Sequence, residues 1–307
     1  MEKFNRIYSL RVEVDNGVNT SPLRSQFLAN KNIEITLPYS VEFSISRRTL
    51  TSAQTGTFRI YNLGPEQRNA IQKDFFQFTQ LRSIQFFAGY DSPNGKFMPK
   101  VFDGTVVTAY SYRVGRDWIT EIDAFDGGWQ MATANGVSIT LAPGTTASQV
   151  VSQLAALLPK MSGSAIVGNF PYANKRGEVL FGNVWDLLIQ KSNGLVTIDN
   201  GQVKALQLNE VILGSLPLIS PESGLLGSPK RTPSTLEFDM IFEPRLTVSQ
   251  VVRLENFSNP KYNRNWKVIG FEHRGTISPS VAGQCLTSVR LWFTLEDLQI
   301  ITGNVVI

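Results

Sequence analysis

The sequence predicts a mainly β chain, α+β overall, in which two antiparallel β-barrel domains flank a small α+β insert. Three observations carry that reading. Apolar and polar residues alternate along most of the first and last thirds, as in Ile33, Ile35, Leu37 and again Val41, Phe43, Ile45, the period of strands with one buried face. Short turns rich in Gly, Asn and Pro separate these runs, so neighbouring strands should pair antiparallel. The middle third instead places Val150, Val151, Leu154, Leu157 and Leu158 at helical spacing.

In chain order, an alternating run at 7–14 opens the first barrel. The runs at 33–37 and 41–45 lie on either side of Pro38 and read as two half-buried strands or one bent one. A strand at 57–61 stops at Asn62-Leu63-Gly64-Pro65, and Pro65 suits the first position of a short helix to about Lys73, where its missing N–H breaks no helical bond. Strands follow at 83–90, 100–114 and 117–125, with turns at Asp91-Ser92-Pro93-Asn94-Gly95 and Gly115. An antiparallel sheet of this size must close or be covered, which points to a barrel over residues 1–128.

The insert is expected over 129–212. Its first helix spans 145–158, with Pro143-Gly144 before it and Pro159 after. A second spans 183–192, carrying Val184, Trp185, Leu187 and Leu188 on one face and stopping at Gly194. The hairpin 195–198 and 202–206 turns at Asn200-Gly201, a dipeptide suited to the left-handed positions of a two-residue turn.

The last unit, 213–307, combines an extended loop with the second barrel. Segment 224–233, rich in Gly, Ser and Pro, reads as a linker or ordered loop running along a neighbouring domain. Leu236, Phe238, Met240 and Phe242 then alternate until Glu243-Pro244-Arg245 breaks the run. Strands at 248–254, 266–273 and 287–295 complete the set, with Val289, Leu291, Phe293 and Leu295 facing one way.

Composition narrows the function classes. At 307 residues, 42% apolar and 18% charged, the chain is long enough for two or three folded units and lacks the signature of disorder. Its 29 basic and 25 acidic residues, net +4, are spread along the chain, so no electrostatic stripe for phosphates stands out. The densest basic spots, Arg47-Arg48 and Lys230-Arg231, read as solvated surface. One cysteine, Cys285, excludes an intramolecular disulfide. The N-terminus lacks the apolar core of a secretory signal and no window reaches the length of a membrane span, so folding in a cytoplasm is expected.

Catalytic chemistry finds little to work with. His273 is the one histidine and lies in a strand; with a single His and a single Cys, a zinc site is nearly excluded. No Gly-x-Ser-x-Gly elbow is present. Segment 89–96 ends in Gly-Lys, but Phe97 stands where a phosphate loop needs Ser or Thr, and two strands flank it. Asp103, Asp123 and Asp126 lie near strand ends, where paired carboxylates of a lytic site would sit, yet they read better as solvated turn positions. The sequons at Asn19 and Asn256 mean nothing without a secretory signal. Phe75-Phe76, Phe86-Phe87 and Trp292-Phe293 suggest base stacking on an oligonucleotide-binding barrel, but adjacent strand residues point to opposite faces, one inward and one toward a neighbouring domain or subunit. No catalytic, cofactor-binding or metal-ligating residue is assigned, and a non-enzyme is expected.

Three stretches resemble phage baseplate hub proteins, the group that includes the late control D proteins and the N-terminal part of type VI secretion spikes. The first is Thr57-Phe58-Arg59-Ile60-Tyr61-Asn62-Leu63 with Pro65-Glu66, then Ile84-Gln85-Phe86-Phe87-Ala88-Gly89-Tyr90 and Val101-Phe102-Asp103-Gly104-Thr105-Val106. The second is Pro143-Gly144-Thr145-Thr146-Ala147, and the third Glu222-Ser223-Gly224-Leu225-Leu226-Gly227-Ser228-Pro229-Lys230-Arg231-Thr232 leading into Phe242-Glu243-Pro244-Arg245-Leu246. Their order covers about two-thirds of the chain. The resemblance implies two tube-like barrels per subunit and a homotrimer presenting a pseudo-sixfold ring. That ring would join the hexameric tail tube to the central spike, contact other baseplate proteins and surround the channel through which DNA passes. With no segment after Ile307, spike and lysozyme parts are expected on separate proteins. The alternatives are another tail-tip component such as a distal tail or tube-initiator protein, a tail-associated lytic enzyme, and a barrel binding single-stranded nucleic acid.

Overall fold

Strand pairing runs through the first and last thirds of the chain without a break. The structure, a computed structural model, describes residues 5–14, 32–49, 54–75, 81–93, 95–161, 163–171, 176–256, 259–280, 283–292 and 298–301. Phe76, Asn94, Phe293, Leu295 and the Asn19 sequon, all singled out in the sequence, lie outside the described residues, as do Phe257 and Ser258 of the Asn256 sequon.

The first third forms β1 (Asn5–Glu13), β2 (Asn32–Thr36), β3 (Val41–Arg48), β4 (Gln54–Tyr61), helix α1 (Pro65–Ile71), β5 (Ser83–Ser92), β6 (Gly95–Phe97), β7 (Lys100–Val114) and β8 (Asp117–Asp126). The two runs around Pro38 are separate strands: β2 pairs with β1, and β3 with β4. α1 ends at Ile71, short of the expected Lys73, because Lys73 instead bridges to Ala109 of β7. The sheet order β3-β4-β8-β7-β5-β1-β2 is antiparallel throughout.

This part of the sheet is rolled. Phe43 in β3 and Phe86 in β5 are four strand steps apart, about 19 Å across a flat sheet at the usual ~4.8 Å spacing, yet their ring centroids lie 5.0 Å apart. Phe58 reaches Phe86 at 5.1 Å and Phe102 at 5.6 Å. All four rings are essentially buried, and burying each is worth roughly 1.5–3 kcal/mol.

The middle third contains α2 (Gly128–Ala132), β9 (Gly136–Leu141), α3 (Ala147–Ala156), β10 (Ile166–Val167), β11 (Glu178–Asn183), α4 (Val184–Lys191), β12 (Val196–Asp199) and β13 (Gln202–Ala205). A capping box starts α3: Gln149 N–H donates to Thr146 Oγ1 at 3.2 Å, and Thr146 N–H to Gln149 Oε1 at 2.9 Å. The helix ends before Leu158 because Pro159 disfavours helical geometry in the residue ahead of it. Asn183 caps α4, and Gly194, at φ +76°, closes it by donating to Ile189 O. The β12–β13 hairpin turns through Asn200 and Gly201 at φ +53° and +75°, as the dipeptide requires. The α2 turn and strands β9 to β11 lie outside the expected elements: α2 and β10 are five residues or fewer and β11 lacks strict alternation, whereas Val137, Ile139 and Leu141 of β9 do alternate with Ser138 and Thr140.

The last third forms β14 (Glu210–Ile219), β15 (Leu225–Arg231), β16 (Thr235–Ile241), β17 (Gln250–Leu254), β18 (Asn265–Ile277), β19 (Cys285–Trp292) and β20 (Gln299–Ile300). The structure corrects the reading of 224–233 as a loop: residues 225–231 are an edge strand, antiparallel to β16. Its loop-like composition reflects a break in register between Leu226 and Lys230, where Gly227 takes φ +67°, and an edge strand tolerates Pro229. The β14–β17 and β14–β20 pairings are parallel.

β18 unites the thirds. Along one edge it pairs with β19; along the other its first residues pair with β17 and residues 270–277 with β3. Accordingly Phe242, Ile277 and Cys285 join the core of the first third, and Tyr90 donates its hydroxyl proton to Phe242 O at 2.6 Å. Separate cores fill the insert and the last third, around Leu154, Leu188 and Ile198 in one and Trp266, Leu236 and Leu291 in the other.

Candidate functional site

Two charged features distinguish the sheet, one on its outer face and one beneath it. Along β3, Val41, Phe43, Ile45 and Arg47 point inward, leaving Glu42, Ser44, Ser46 and Arg48 outward. Antiparallel register carries that outward row sideways: Thr276–Glu42–Arg59–Glu121–Tyr110 is one line across β18, β3, β4, β8 and β7. Leu226–Asp239–Ser288–Glu272–Ser46 is another, across β15, β16, β19, β18 and β3. Eight strands from β15 to β7 thus share one polar face. Along the first line the charges alternate in sign, and on the face several tie to one another: Arg59 Nε donates to Glu121 Oε2 at 2.8 Å, Tyr112 donates to the same carboxylate at 3.1 Å, and Arg290 lies 3.4 Å from Glu237. Burial opposes ionisation of Glu121, but the bonds from Arg59 and Tyr112 prevail and hold its carboxyl below the usual range. The face carries two open hollows, of about 500 and 570 Å³.

Beneath the face, Arg47 is 1% exposed. The reading of Arg47 as solvated surface is therefore wrong: in-out alternation along β3 turns it into the core, where partners compensate its charge. Its Nη1 pairs with Asp126 Oδ2 at 2.6 Å and Asp199 Oδ1 at 2.5 Å; its Nη2 donates to Val101 O and to Asn200 Oδ1. Lys204 closes the cluster on Asp199 at 2.6 Å. Two cations face two carboxylates, so the cluster is neutral and joins β3, β7 and β8 to the β12–β13 hairpin. Burial pushes Asp126 up to about 6 against the pull of Arg47. Asp199, equally buried, is held below its ordinary value by Lys204 and Arg47. Arg48, Lys230 and Arg231 are exposed, as expected.

The other residues singled out in the sequence fall into structural places. His273 is buried, its Nδ1 2.8 Å from Thr287 Oγ1 and its ring against Phe242 and Phe271; burial, aided by the charge of Arg47, lowers its pKa to about 3. The expectation of solvated turn positions is corrected: all three aspartates lie within β7 and β8, where Asp103 pairs with Lys100 at 2.6 Å, Asp123 accepts from Thr57 at 2.7 Å, and Asp126 is buried. Within segment 89–96, β5 and β6 pair antiparallel from Tyr90–Phe97 to Ser92–Gly95; a Cβ at Gly89 would collide with Phe97 O, which explains the Ala-Gly-Tyr sequence there. Asn62, at φ +59°, uses its side chain to join the end of β4 to Asp117 and the N–H of Trp118. Glu243 is buried and grips Arg245 through two bonds of 2.7 and 2.8 Å, so Glu243-Pro244-Arg245 is a self-closed corner. Phe86 is buried and Phe87 lies under Arg11 at 5.0 Å, the two-faced arrangement expected of adjacent strand aromatics. Among the described residues no group of three or more His, Cys, Asp and Glu is placed to hold a metal, and no helix is long and apolar enough to cross a membrane. The ion cluster had no sequence signal beyond the alternation that turned Arg47 inward, since its members are 73 or more residues apart except for the pair on the hairpin.

The same fold occurs in solved tail proteins. A 43 kDa tail protein of prophage MuSo2 from Shewanella oneidensis superposes with TM-score 0.52 at 8% identity, over 92% of this chain and 97% of that one. A tail protein from Neisseria meningitidis gives 0.53 at 10%, over 94% and 96%, and an E. coli component of the type VI secretion system gives 0.50 at 7%, over 86% and 76%. These likenesses define the fold class, one shared with solved phage-tail and type VI secretion proteins. Within it, the chain belongs to the family described as baseplate hub gp41, whose model matches residues 27–274. Membership implies a place in the tail baseplate of a virion. No curated protein sequence matches the chain.

Proposed function

We propose that three copies of this chain form a pseudo-sixfold ring that joins the hexameric tail tube to the central spike and surrounds the DNA channel, without enzymatic activity. In this reading residues 1–128 and 213–307 are the two tube-like barrels of each subunit, and 129–212 is the insert. The carrying observation is the polar face shared by eight strands, open at both sides. Among the described residues no strand pairs with the outer edge of β15, nor with residues 110–114 of β7 on the side away from β8. Such edges are templates for a neighbouring chain. A head-to-tail contact between two different edges closes into a ring when its rotation allows. Three copies would surround a lumen with a continuous wall of mixed and largely paired charge, along which DNA slides.

Native mass measurement of the purified chain tests the assembly, and imaging of the particle tests the lumen. A trimer with the β3–β4–β8 face inward is expected. A monomer over the whole accessible concentration range overturns the ring; a hexamer would mark a tube-initiator or distal tail protein, and clearing of cell-wall material on zymography a lytic enzyme.

A further inference from the structure

A cavity of about 530 Å³ opens where the three parts of the chain meet, between the end of β3, the β12–β13 hairpin and the strands of the last third. Its walls are mostly apolar, from Leu195, Leu206, Leu208, Ile269 and Trp292. Four cations line it, Arg48, Lys204, Lys267 and Arg290, against one carboxylate, Glu237. Lys204 is matched by Asp199 and Arg290 by Glu237, which leaves two positive charges without a matching anion.

Those two are unlike in setting and alike in need. Arg48 is exposed, and its guanidinium makes no ion pair among the described residues. Lys267 is 3% exposed, and its ammonium donates to neutral carbonyls, Gln207 O at 2.8 Å and Leu208 O at 3.0 Å. Burial drives its pKa down to about 8, only partly offset by Glu210. A buried cation whose ammonium touches only carbonyls, with a carboxylate that acts on it at a distance, is expensive to keep, and an incoming anion would relieve it. The hydroxyls of Thr49, Thr197, Thr235 and Ser249 also line the cavity. Thr49 donates to Ile269 O, Thr197 accepts from Gln54 and Thr235 donates to Glu237, and the lone pairs these hydroxyls keep can accept from the N–H groups of a peptide backbone, for which a plain hydrocarbon tail offers no donor.

We propose that this cavity binds an acidic, apolar peptide segment of a partner protein, its carboxylate met by Arg48 and Lys267 and its apolar side chain by the leucine, isoleucine and tryptophan walls. Because the lining comes from all three parts of one chain, the occupant would also pin the insert against the sheet. The site does not depend on ring closure, so its test is separate from that of the trimer.

The full chain is titrated, by calorimetry and ligand-observed NMR, with a capped hexapeptide whose centre reads phenylalanine, glutamate, leucine, aspartate. Two controls run beside it, the same peptide with glutamine and asparagine in place of the acids, and decanoate. Saturable binding of the acidic peptide is expected, weakened about tenfold by the neutral replacement and by Arg48→Ala, the loss of one charge-assisted contact. Leu208→Asp, at a half-exposed wall position, should abolish it without unfolding the chain. Absence of saturable binding, equal affinity for the neutral peptide, indifference to both variants, or binding of decanoate in preference to the acidic peptide would each overturn the proposal.

Discussion

Arg47 and Arg59 sit on neighbouring strands and each faces two carboxylates, Asp126 and Asp199 in one case, Glu121 and Glu42 in the other. Their side chains differ in exposure, 1% against 43%, and that difference sets what each pair can do. At the outer face water screens the charges, so the pairing of Arg59 contributes little to stability and chiefly keeps the surface neutral and unadhesive. Beneath it, Arg47 and its partners have no water to fall back on, so removing one leaves the others stranded. One charge chemistry therefore finishes an exposed surface in the first place and locks two parts of the chain together in the second.

The sharpest way to break this comparison is Arg47→Met, which should destabilise the fold by roughly 3–5 kcal/mol by leaving two buried carboxylates with one cation; a denaturant midpoint unchanged from the parent would remove the distinction. Next in size is pH. The folded chain keeps His273 neutral down to about pH 3, whereas the unfolded imidazole takes up its proton below about 6.5. Its contribution is thus fully present above pH 6.5 and is lost as pH falls toward 3, at no more than about 1.4 kcal/mol per pH unit. Asp126, raised to about 6, acts with the opposite sign between there and about 4. Unfolding curves of the parent and His273→Gln across pH 4 to 7, taken at about half-unit steps, separate the two; equal slopes would mean that the imidazole is not held neutral.

A smaller effect is expected at the hairpin that carries the cluster. Asn200→Ala loses a bond to Arg47 and forces alanine into the left-handed region, at about 1–2 kcal/mol, read as a lower melting temperature. The smallest belongs to the outer face: Arg59→Ala should shift stability by less than about 1 kcal/mol. If instead it matches Arg47→Met, the face is a structural element and not a wall.

Much of this fold was legible along the chain. Strict alternation located β3 and β16, the flanking turns bounded β5 and β7, and Asn200-Gly201 located its hairpin, because strand period and turn conformation are properties of a few consecutive residues. Segment 225–231 was misread because a bulge and a proline erase alternation locally while the strand on its one partnered side keeps the pairing. The functional features were less legible. The polar rows could be listed strand by strand, but their alignment into one face depends on register between strands up to about two hundred residues apart. Arg47 carried an inward position in its pattern; that two aspartates would meet it there did not follow from any spacing.

Local chemistry, then, was enough to say that the chain is built of half-buried strands around a helical insert and carries no concentrated reactive groups, because side-chain period, caps and turns act over a handful of bonds. Which strands become neighbours was decided in three dimensions, where the long strand β18 reaches β3 and the sheet rolls until Phe43 touches Phe86. Only that closure could bury Arg47 against Asp126 and Asp199 and gather two unmatched cations around an apolar cavity, since the energy of a charge depends on what surrounds it and not on its place in the chain.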